Sequence, residues 1–267
     1  MDFSQPRVMG IINCTPDSFY SGSRKTKLVE GIETALAMIA AGADILDLGG
    51  ESSRPGSEYV DAAVEIERVI PMIEGIRKVS DITISVDTRK AAVARAALDA
   101  GADWINDISA LEDDPLLGTL AAERDVPVIL MHKRGIPLHM QDNPEYKDTS
   151  GEIIVELKKA VKRAVKAGIK KDKIILDPGI GFGKRMEDNL RILKELPRFK
   201  ESGFPLLIGA SRKAFIGLIL EKEVEERLIG SVAIHLYAAI MGADIVRVHD
   251  VDETVQTLKL LNAVRRS

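Results

Sequence analysis

Short apolar runs alternate with longer amphipathic segments from one end of the chain to the other. The longer segments carry apolar residues at helical spacing, as between Lys27 and Ala41. The short runs predict buried strands, and most of them end on a polar side chain. Eight strands are predicted, at Arg7–Asn13, Asp44–Leu48, Ile82–Asp87, Trp104–Ile108, Val126–His132, Lys173–Asp177, Pro205–Ala210 and Asp244–His249.

A helical segment follows each predicted strand. The helices are expected at about Lys27–Ala41, on both sides of Pro71, and at Lys90–Ala100, Leu116–Arg124, Glu152–Ala167, Glu187–Leu196, as a pair between Lys213 and Met241, and at Asp252–Val264. This alternation predicts an α/β protein with a parallel sheet. Eight units in 267 residues indicate a (β/α)8 TIM barrel, with an open doubly wound sheet as the alternative. No linker divides the chain, so residues 1–267 are interpreted as a single domain.

Composition narrows the range of partners. The net charge is −4, with both signs interspersed, which predicts neither nucleic acid nor a membrane surface as a partner. The single cysteine, Cys14, excludes an intrachain disulfide and favours a reducing compartment. The N-terminal segment does not have the pattern of a signal peptide, and no apolar run reaches the roughly 18 residues that span a bilayer. We therefore expect a cytoplasmic protein.

A weak internal repeat supports the barrel. Gly-Ala-Asp occurs at 42–44, 101–103 and 242–244, each time where a helix should end in a left-handed glycine and a strand should begin. The fifth residue after each glycine is polar: Asp47, Asn106 and Arg247. Gly-Ala-Asp is also simply a good turn between helix and strand, but that does not explain the polar residues.

Polar side chains collect at the predicted strand ends, which converge on one face of a barrel. They are Asn13, Asp47, Asp87, Asn106, His132, Asp177, Ser211 with Lys213, and Arg247 with His249. Each alone is commonly a cap or turn former, and Asp47 in particular is interpreted as structural. The cations after the last two strands, with Arg54, favour a phosphate. The acceptors Asp87, Asn106 and Asp177 suit a flat heterocycle with adjacent N–H donors.

The glycines after the sixth strand could be mistaken for a nucleotide loop. Asp177-Pro-Gly-Ile-Gly-Phe-Gly-Lys184 is followed by Arg185, whereas a P-loop requires Ser or Thr there. We expect these glycines to clear space for a flat ring anchored by Asp177. Cys14 is not expected to be a nucleophile, since no base is evident beside it. No ligand pattern for zinc is present, whereas Mg2+ on phosphate oxygens needs few protein ligands, and Asn13 could be one.

Seven segments together resemble the dihydropteroate synthase family, in order along essentially the whole chain. They are Asn13-Cys-Thr-Pro-Asp-Ser-Phe19, Gly50-Glu-Ser-Ser-Arg-Pro-Gly56, Ser85-Val-Asp-Thr88, Ile105-Asn-Asp-Ile108, Leu176–Lys184, Gly209-Ala-Ser-Arg-Lys213 and Arg247-Val-His-Asp250. The resemblance implies a TIM barrel of folate biosynthesis with its active site at the carboxyl ends of the strands. It implies condensation of 6-hydroxymethyl-7,8-dihydropterin diphosphate with 4-aminobenzoate.

The resemblance also implies roles for individual residues. The pterin would be bound by Asp87, Asn106, Asp177, Gly209 and Lys213; the diphosphate by Asn13, Ser53, Arg54, Arg247 and His249; and 4-aminobenzoate by Pro55, Phe182, Ser211 and Lys213. Asp87, Asp177, Lys213, Arg247 and His249 would be catalytic, in an SN1-like reaction, and Asn13 would bind Mg2+. The family further implies a homodimer formed through late helices, and the loops after the first two strands are expected to close over the ligands.

This chain departs from the family pattern in three places. Ser53 replaces a more usual Thr, Tyr20–Lys25 differs from an Asp-Gly-Gly-type continuation, and His132-Lys-Arg-Gly135 is more basic than His-Met-Gln-Gly. Two alternatives stay open from the sequence. One is a pterin-binding methyltransferase domain that works with a corrinoid protein, which has no need of a phosphate cluster. The other is a non-catalytic pterin or phosphate binder, which would tolerate loss of Asn13 or Lys213.

Overall fold

Eight parallel strands form the centre of the molecule. The computed structural model describes residues 2–15, 24–53, 56–136 and 138–267, with only the backbone described for 24–27. The strands are β1 (Arg7–Asn13), β2 (Ile45–Gly49), β3 (Thr83–Asp87), β4 (Trp104–Asp107), β5 (Val128–Met131), β6 (Ile174–Asp177), β7 (Leu207–Ile208) and β8 (Ile245–Val248). All eight coincide with predicted strands, and several are shorter by one to four residues, because ladder pairing ends before the apolar run does.

The strands close into a barrel. Their order is β6-β5-β4-β3-β2-β1-β8-β7, with every pairing parallel. A parallel bridge between Leu176 and Leu206 brings the two edges together, and the Leu176 N–H donates to the Pro205 carbonyl at 2.9 Å. The predicted (β/α)8 barrel is confirmed, and the open doubly wound sheet is excluded.

Helices surround the barrel. They are α1 (Arg24–Ala41), α2 (Ala62–Arg77), α3 (Ala91–Asp99), α4 (Pro115–Arg124), α5 (Thr149–Lys166), α6 (Met186–Lys194), α7 (Leu196–Lys200), α8 (Ala214–Leu220), α9 (Leu228–Ile240) and α10 (Val251–Arg266). Contrary to the prediction of two pieces flanking Pro71, α2 runs through this proline. Its buried face continues on both sides, from Val69 to Ile76, so tertiary packing offsets the lost backbone hydrogen bond. No helix in the described part of the chain is long and apolar enough to cross a membrane.

The repeated Gly-Ala-Asp turns have the predicted geometry. Gly42, Gly101 and Gly242 all have a left-handed backbone, with φ of 100°, 109° and 104°. Only glycine adopts such angles without steric cost, so each helix ends there and the chain turns directly into a strand. The three turns therefore start β2, β4 and β8 in the same register relative to their glycines.

An apolar layer fills the lower part of the barrel interior. Six fully or almost fully buried side chains form it: Met9, Ile45, Ile129, Ile175, Leu207 and Ile245. Side chains alternate between the two faces of a strand, so the residue two positions further on points the same way. Asp47, Asp177 and Arg247 follow members of this layer at that spacing, which directs them into the barrel mouth above it.

Candidate active site

A buried cluster of two carboxylates, one guanidinium and one amide lies inside the barrel mouth. The Nε of Arg247 donates to Asp47 at 2.5 Å, and a terminal nitrogen of Arg247 donates to Asp87 at 2.8 Å. The amide of Asn106 donates to the same oxygen of Asp47 at 3.0 Å. The three polar residues of the Gly-Ala-Asp repeat are thus in direct contact. Asp47, interpreted from sequence as structural, is the fully buried centre that joins the other two.

One carboxylate in this cluster, that of Asp87, has a perturbed proton affinity. Burial raises the pKa of Asp87, and the neighbouring Asp47 carboxylate adds to the increase, while Arg247 opposes it. A buried carboxylate with a single cation in reach is ready to accept N–H donors from a ligand, because these would replace the lost hydration. The cluster therefore combines one guanidinium with hydrogen-bond acceptors.

Asp177 and Lys213 lie across the mouth. Asp177 is buried, and one of its oxygens accepts from the Gly179 N–H at 2.7 Å. Burial raises the pKa of Asp177 against the opposing charge of Lys213. Burial lowers the pKa of Lys213 to about 7, although Asp177 favours its charged form. The Lys213 ammonium donates to the Ile180 carbonyl and lies 4.6 Å from the centre of the Phe182 ring.

Two of the three glycines after β6 allow close backbone packing, which the sequence did not predict, and the third faces the site. Gly179, Gly181 and Gly183 have φ of 70°, 83° and 64°. A Cβ would lie 1.9 Å from the His132 carbonyl oxygen at Gly179 and 2.1 Å from the Arg134 carbonyl oxygen at Gly183. These two glycines therefore allow the loop to pack against the backbone of the loop after β5. At Gly181 a Cβ would lie 3.1 Å from the Lys213 side chain, so this glycine alone leaves room for a group of the site.

The ends of β7 and β8 are joined by side chains. The Nδ1 of His249 lies 2.9 Å from the Ser211 hydroxyl, which also accepts from the His249 N–H at 3.2 Å. The next residues along the chain also pair, since Arg212 donates through two nitrogens to Asp250. At Gly209 a Cβ would lie 3.6 Å from the Cβ of Arg247, which is an ordinary contact. Ser211 and His249 are thus in contact with each other, and Gly209 lies beside Arg247.

The remaining predicted residues lie after β1 and β2 or outside the described part of the chain. Asn13 is the last residue of β1, and Gly49, opposite it on β2, precedes the loop that contains Ser53; both Asn13 and Ser53 are partly exposed. Arg54, Pro55 and most of the predicted closing loop after β1 lie outside the described residues. In the part of the chain that is described, no three His, Cys, Asp or Glu side chains are grouped as metal ligands.

Cys14 has no feature of a nucleophile. Its side chain is buried, and burial raises the pKa of the thiol to about 12. The thiol contacts the Ile12 carbonyl at 3.9 Å. Since a thiolate is required for nucleophilic attack, this residue is unreactive at neutral pH.

The structure is that of a (β/α)8 enzyme whose strand ends carry a guanidinium, an ammonium group and three buried or partly buried carboxylates. The profile of the pterin binding enzyme family matches residues 9–249. The chain is 47% identical over 260 residues to the dihydropteroate synthase of Synechocystis sp., covering 97% of this chain and 90% of that one. It is 45% identical over 263 residues to the Escherichia coli K12 dihydropteroate synthase, covering 98% and 93%.

Solved structures agree with these relatives. Dihydropteroate synthase from Xanthomonas albilineans with 4-aminobenzoic acid superposes with a TM-score of 0.95 at 44% identity, covering 100% of this chain and 96% of that one. The same enzyme in complex with 7,8-dihydropteroate superposes with a TM-score of 0.91 at 42% identity, with the same coverage. The chain belongs to the dihydropteroate synthase family of pterin-binding enzymes.

Proposed function

We propose that this chain condenses 6-hydroxymethyl-7,8-dihydropterin diphosphate with 4-aminobenzoate, giving 7,8-dihydropteroate and diphosphate. The observation that carries the proposal is the pairing of Arg247 with Asp47 and Asp87 on the rim that also holds Asp177 and Lys213. It places an anion-binding cation beside acceptors for a pterin. A corrinoid-dependent methyltransferase has no need of that cation. The related enzyme from Xanthomonas albilineans has been solved with 4-aminobenzoic acid and with 7,8-dihydropteroate. These correspond to the second substrate and the product of the proposed reaction.

The geometry suggests how Arg247 serves both ends of the substrate. Its Nε is bonded to the fully buried Asp47, whereas its terminal nitrogen is bonded to the partly exposed Asp87. An incoming diphosphate would compete for the outer nitrogen and leave the inner bond intact. Asp87 would then be free to accept N–H donors of the pterin, together with Asn106 and Asp177. Arg247 and His249, with Ser53 and Arg54, would neutralise the charge that develops on diphosphate.

The reaction is proposed to be dissociative. The C–O bond to diphosphate breaks first, and the electron-rich dihydropterin shares the positive charge on its methylene carbon. The amine of 4-aminobenzoate, bordered by Pro55, Phe182 and Ser211, then forms the C–N bond and loses a proton. Asp87 and Asp177 would stabilise the cation electrostatically, and Lys213 would contact both substrates. No protein nucleophile is used, in agreement with the buried thiol of Cys14.

Mg2+ is proposed as the cofactor. The residues present suit it, because Mg2+ keeps several waters and binds through one or two protein oxygens plus substrate phosphates. The Asn13 side-chain oxygen is the proposed ligand at the end of β1. Bound Mg2+ would neutralise negative charge on the diphosphate and so favour its departure.

A homodimer is proposed through α8, α9 and α10. Helix α9 packs against α8 at Gly230, and Arg265 of α10 donates to the Ala239 carbonyl of α9 at 3.0 Å. Large apolar side chains on these helices are exposed, namely Leu218, Ile219, Ile229, Ile240, Leu260 and Val264. A second copy would cover such a surface. Light scattering should give twice the chain mass, and Ile229→Glu should give a monomer; a monomeric unmodified protein contradicts the proposal.

The activity is tested by mixing the protein with both substrates and Mg2+ and measuring dihydropteroate and diphosphate. Arg247→Ala should lower kcat/KM by about 1,000-fold, because a charge-stabilising donor is lost.

The dissociative step is tested with 18O in the bridging position of the diphosphate ester. Scrambling of the label without 4-aminobenzoate supports it, and retention of the label argues against it. Absence of product from the unmodified protein would refute the function itself.

A further inference from the structure

Lys184 is a buried lysine to which the proposed reaction assigns no role; burial lowers its pKa to about 7. Only 2% of its surface is exposed. Its ammonium nitrogen lies 3.0 Å from the Phe182 carbonyl, 2.9 Å from Nδ1 of His132 and 3.4 Å from the His132 carbonyl. A lysine ammonium has three hydrogens, and three acceptors surround this one. A buried charge is costly, so such complete pairing indicates a specific purpose.

The contact with Glu156 fixes the tautomer of His132. A carboxylate only accepts hydrogen bonds, so Nε2 of the ring carries the proton and Nδ1 is left to accept from Lys184. Nε2 lies 2.7 Å from the Glu156 carboxylate of α5, which also accepts from Arg134 at 2.9 Å. Burial and the charge of Lys184 lower the pKa of His132 to about 4, so the ring stays neutral at pH 7. Lys184 is therefore anchored, through His132, to a helix outside the barrel.

Two lysines hold alternate carbonyl groups of the loop after β6. Lys213 donates to the Ile180 carbonyl, and Lys184 donates to the Phe182 carbonyl. Lys213 is partly exposed at the rim, so a bound pterin can draw it away from Ile180. Lys184 is buried and has no such competitor. The hydrogen bond from Lys184 therefore restrains the Phe182 carbonyl whatever ligand is bound, in addition to the bond from the Phe182 N–H to the Gly179 carbonyl at 3.1 Å.

We propose that Lys184 is a positioning residue for the 4-aminobenzoate subsite, which holds the Phe182 backbone so that its ring stays beside Lys213. The inference rests on the proposed function, because that function assigns Phe182 to this subsite. It predicts a selective effect. Loss of Lys184 should weaken binding of 4-aminobenzoate and leave binding of the pterin diphosphate nearly unchanged.

The test compares steady-state kinetics of Lys184→Met, Phe182→Ala and the double variant, with Lys194→Met as control. Lys194 is an exposed lysine on α6, so the control makes the same substitution where nothing is positioned. Lys184→Met should raise KM for 4-aminobenzoate about tenfold and change KM for the pterin diphosphate less than about twofold, since only one subsite is displaced. In the Phe182→Ala background the same substitution should add less than about twofold, because two residues that act through one ring are not additive.

Three results would overturn the inference while the unmodified protein remains active. One is an unchanged KM for 4-aminobenzoate in Lys184→Met. The second is an equal rise for both substrates, which would mean that Lys184 acts on Asp177 and the pterin instead. The third is full additivity with Phe182→Ala. If Lys184→Met does not fold, as judged by circular dichroism, Lys184→Gln should show the same selective rise in KM to a smaller extent, and an unselective change there refutes the proposal. An unmodified protein without activity would instead refute the proposed function.

Discussion

Replacing Asp47 by alanine tests whether this buried carboxylate holds the active-site cation in place. The change removes the acceptor that Arg247 and Asn106 share at 2.5 Å and 3.0 Å. Removing one partner of a buried ion pair costs about 3–5 kcal/mol, and an amide left unpaired costs about 1–3 kcal/mol. Arg247 keeps its bond to Asp87 and 21% of its side-chain surface is exposed, so the total should lie near the lower end, at about 3 kcal/mol.

Asp47→Asn provides a graded comparison. Its amide oxygen can still accept from Arg247 and Asn106, so only the charge assistance is lost, which should cost about 1–2 kcal/mol. For a chain of this size each kcal/mol lowers the melting temperature by about 2–4 °C. We therefore expect a decrease of about 10 °C for Asp47→Ala and about 4 °C for Asp47→Asn. Because Arg247 loses its orientation, kcat/KM should fall about 100-fold in the alanine variant.

Thermal unfolding followed by circular dichroism measures the first effect, and initial rates of dihydropteroate formation measure the second. Asp81→Asn is the matched control, because Asp81 is exposed and precedes β3. The reasoning is wrong if Asp47→Ala unfolds within about 0.5 kcal/mol of this control and keeps its turnover, since surface changes stay within that range.

Three further predictions concern pH, the thiol and the metal. Burial lowers the pKa of His132 to about 4 and that of His235 to about 3, so the stability contributed by neutral histidine is complete above about pH 6.5 and is lost as the pH falls toward these values. Each histidine should lower the free energy of unfolding by about 2 kcal/mol between pH 7 and pH 5. Urea unfolding of His235→Gln should therefore show a decrease smaller by about this amount than that of the unmodified protein, and an equal decrease in both contradicts the prediction. Cys14 should stay unmodified by iodoacetamide at pH 8 until the protein is unfolded, as seen by mass spectrometry, and Cys14→Ala should retain turnover. EDTA should abolish turnover reversibly without changing the melting temperature of the ligand-free protein, and turnover that persists in EDTA would exclude Mg2+.

Local structure was largely predictable from this chain. The apolar runs located all eight strands, and the Gly-Ala-Asp turns at 42, 101 and 242 have the expected left-handed glycines. These features depend on backbone sterics and on the burial of neighbouring side chains, which are properties of short segments. The continuity of α2 through Pro71 was not predictable, because it depends on packing of the helix face against the barrel.

The sequence by itself determined the eight alternating strands and helices and the polar residues at the strand ends, because both depend on short segments. The closed barrel, rather than an open sheet, was decided by the tertiary structure. Only the tertiary structure decided which of those residues meet. Asp47 joins Arg247 and Asn106 because β1 lies between β8 and β2, β3 lies between β2 and β4, and the registers of these pairings align the three residues. Lys184 reaches His132 because β5 and β6 pair. Contacts between residues 52 to 200 positions apart depend on strand order and register, which no local pattern specifies.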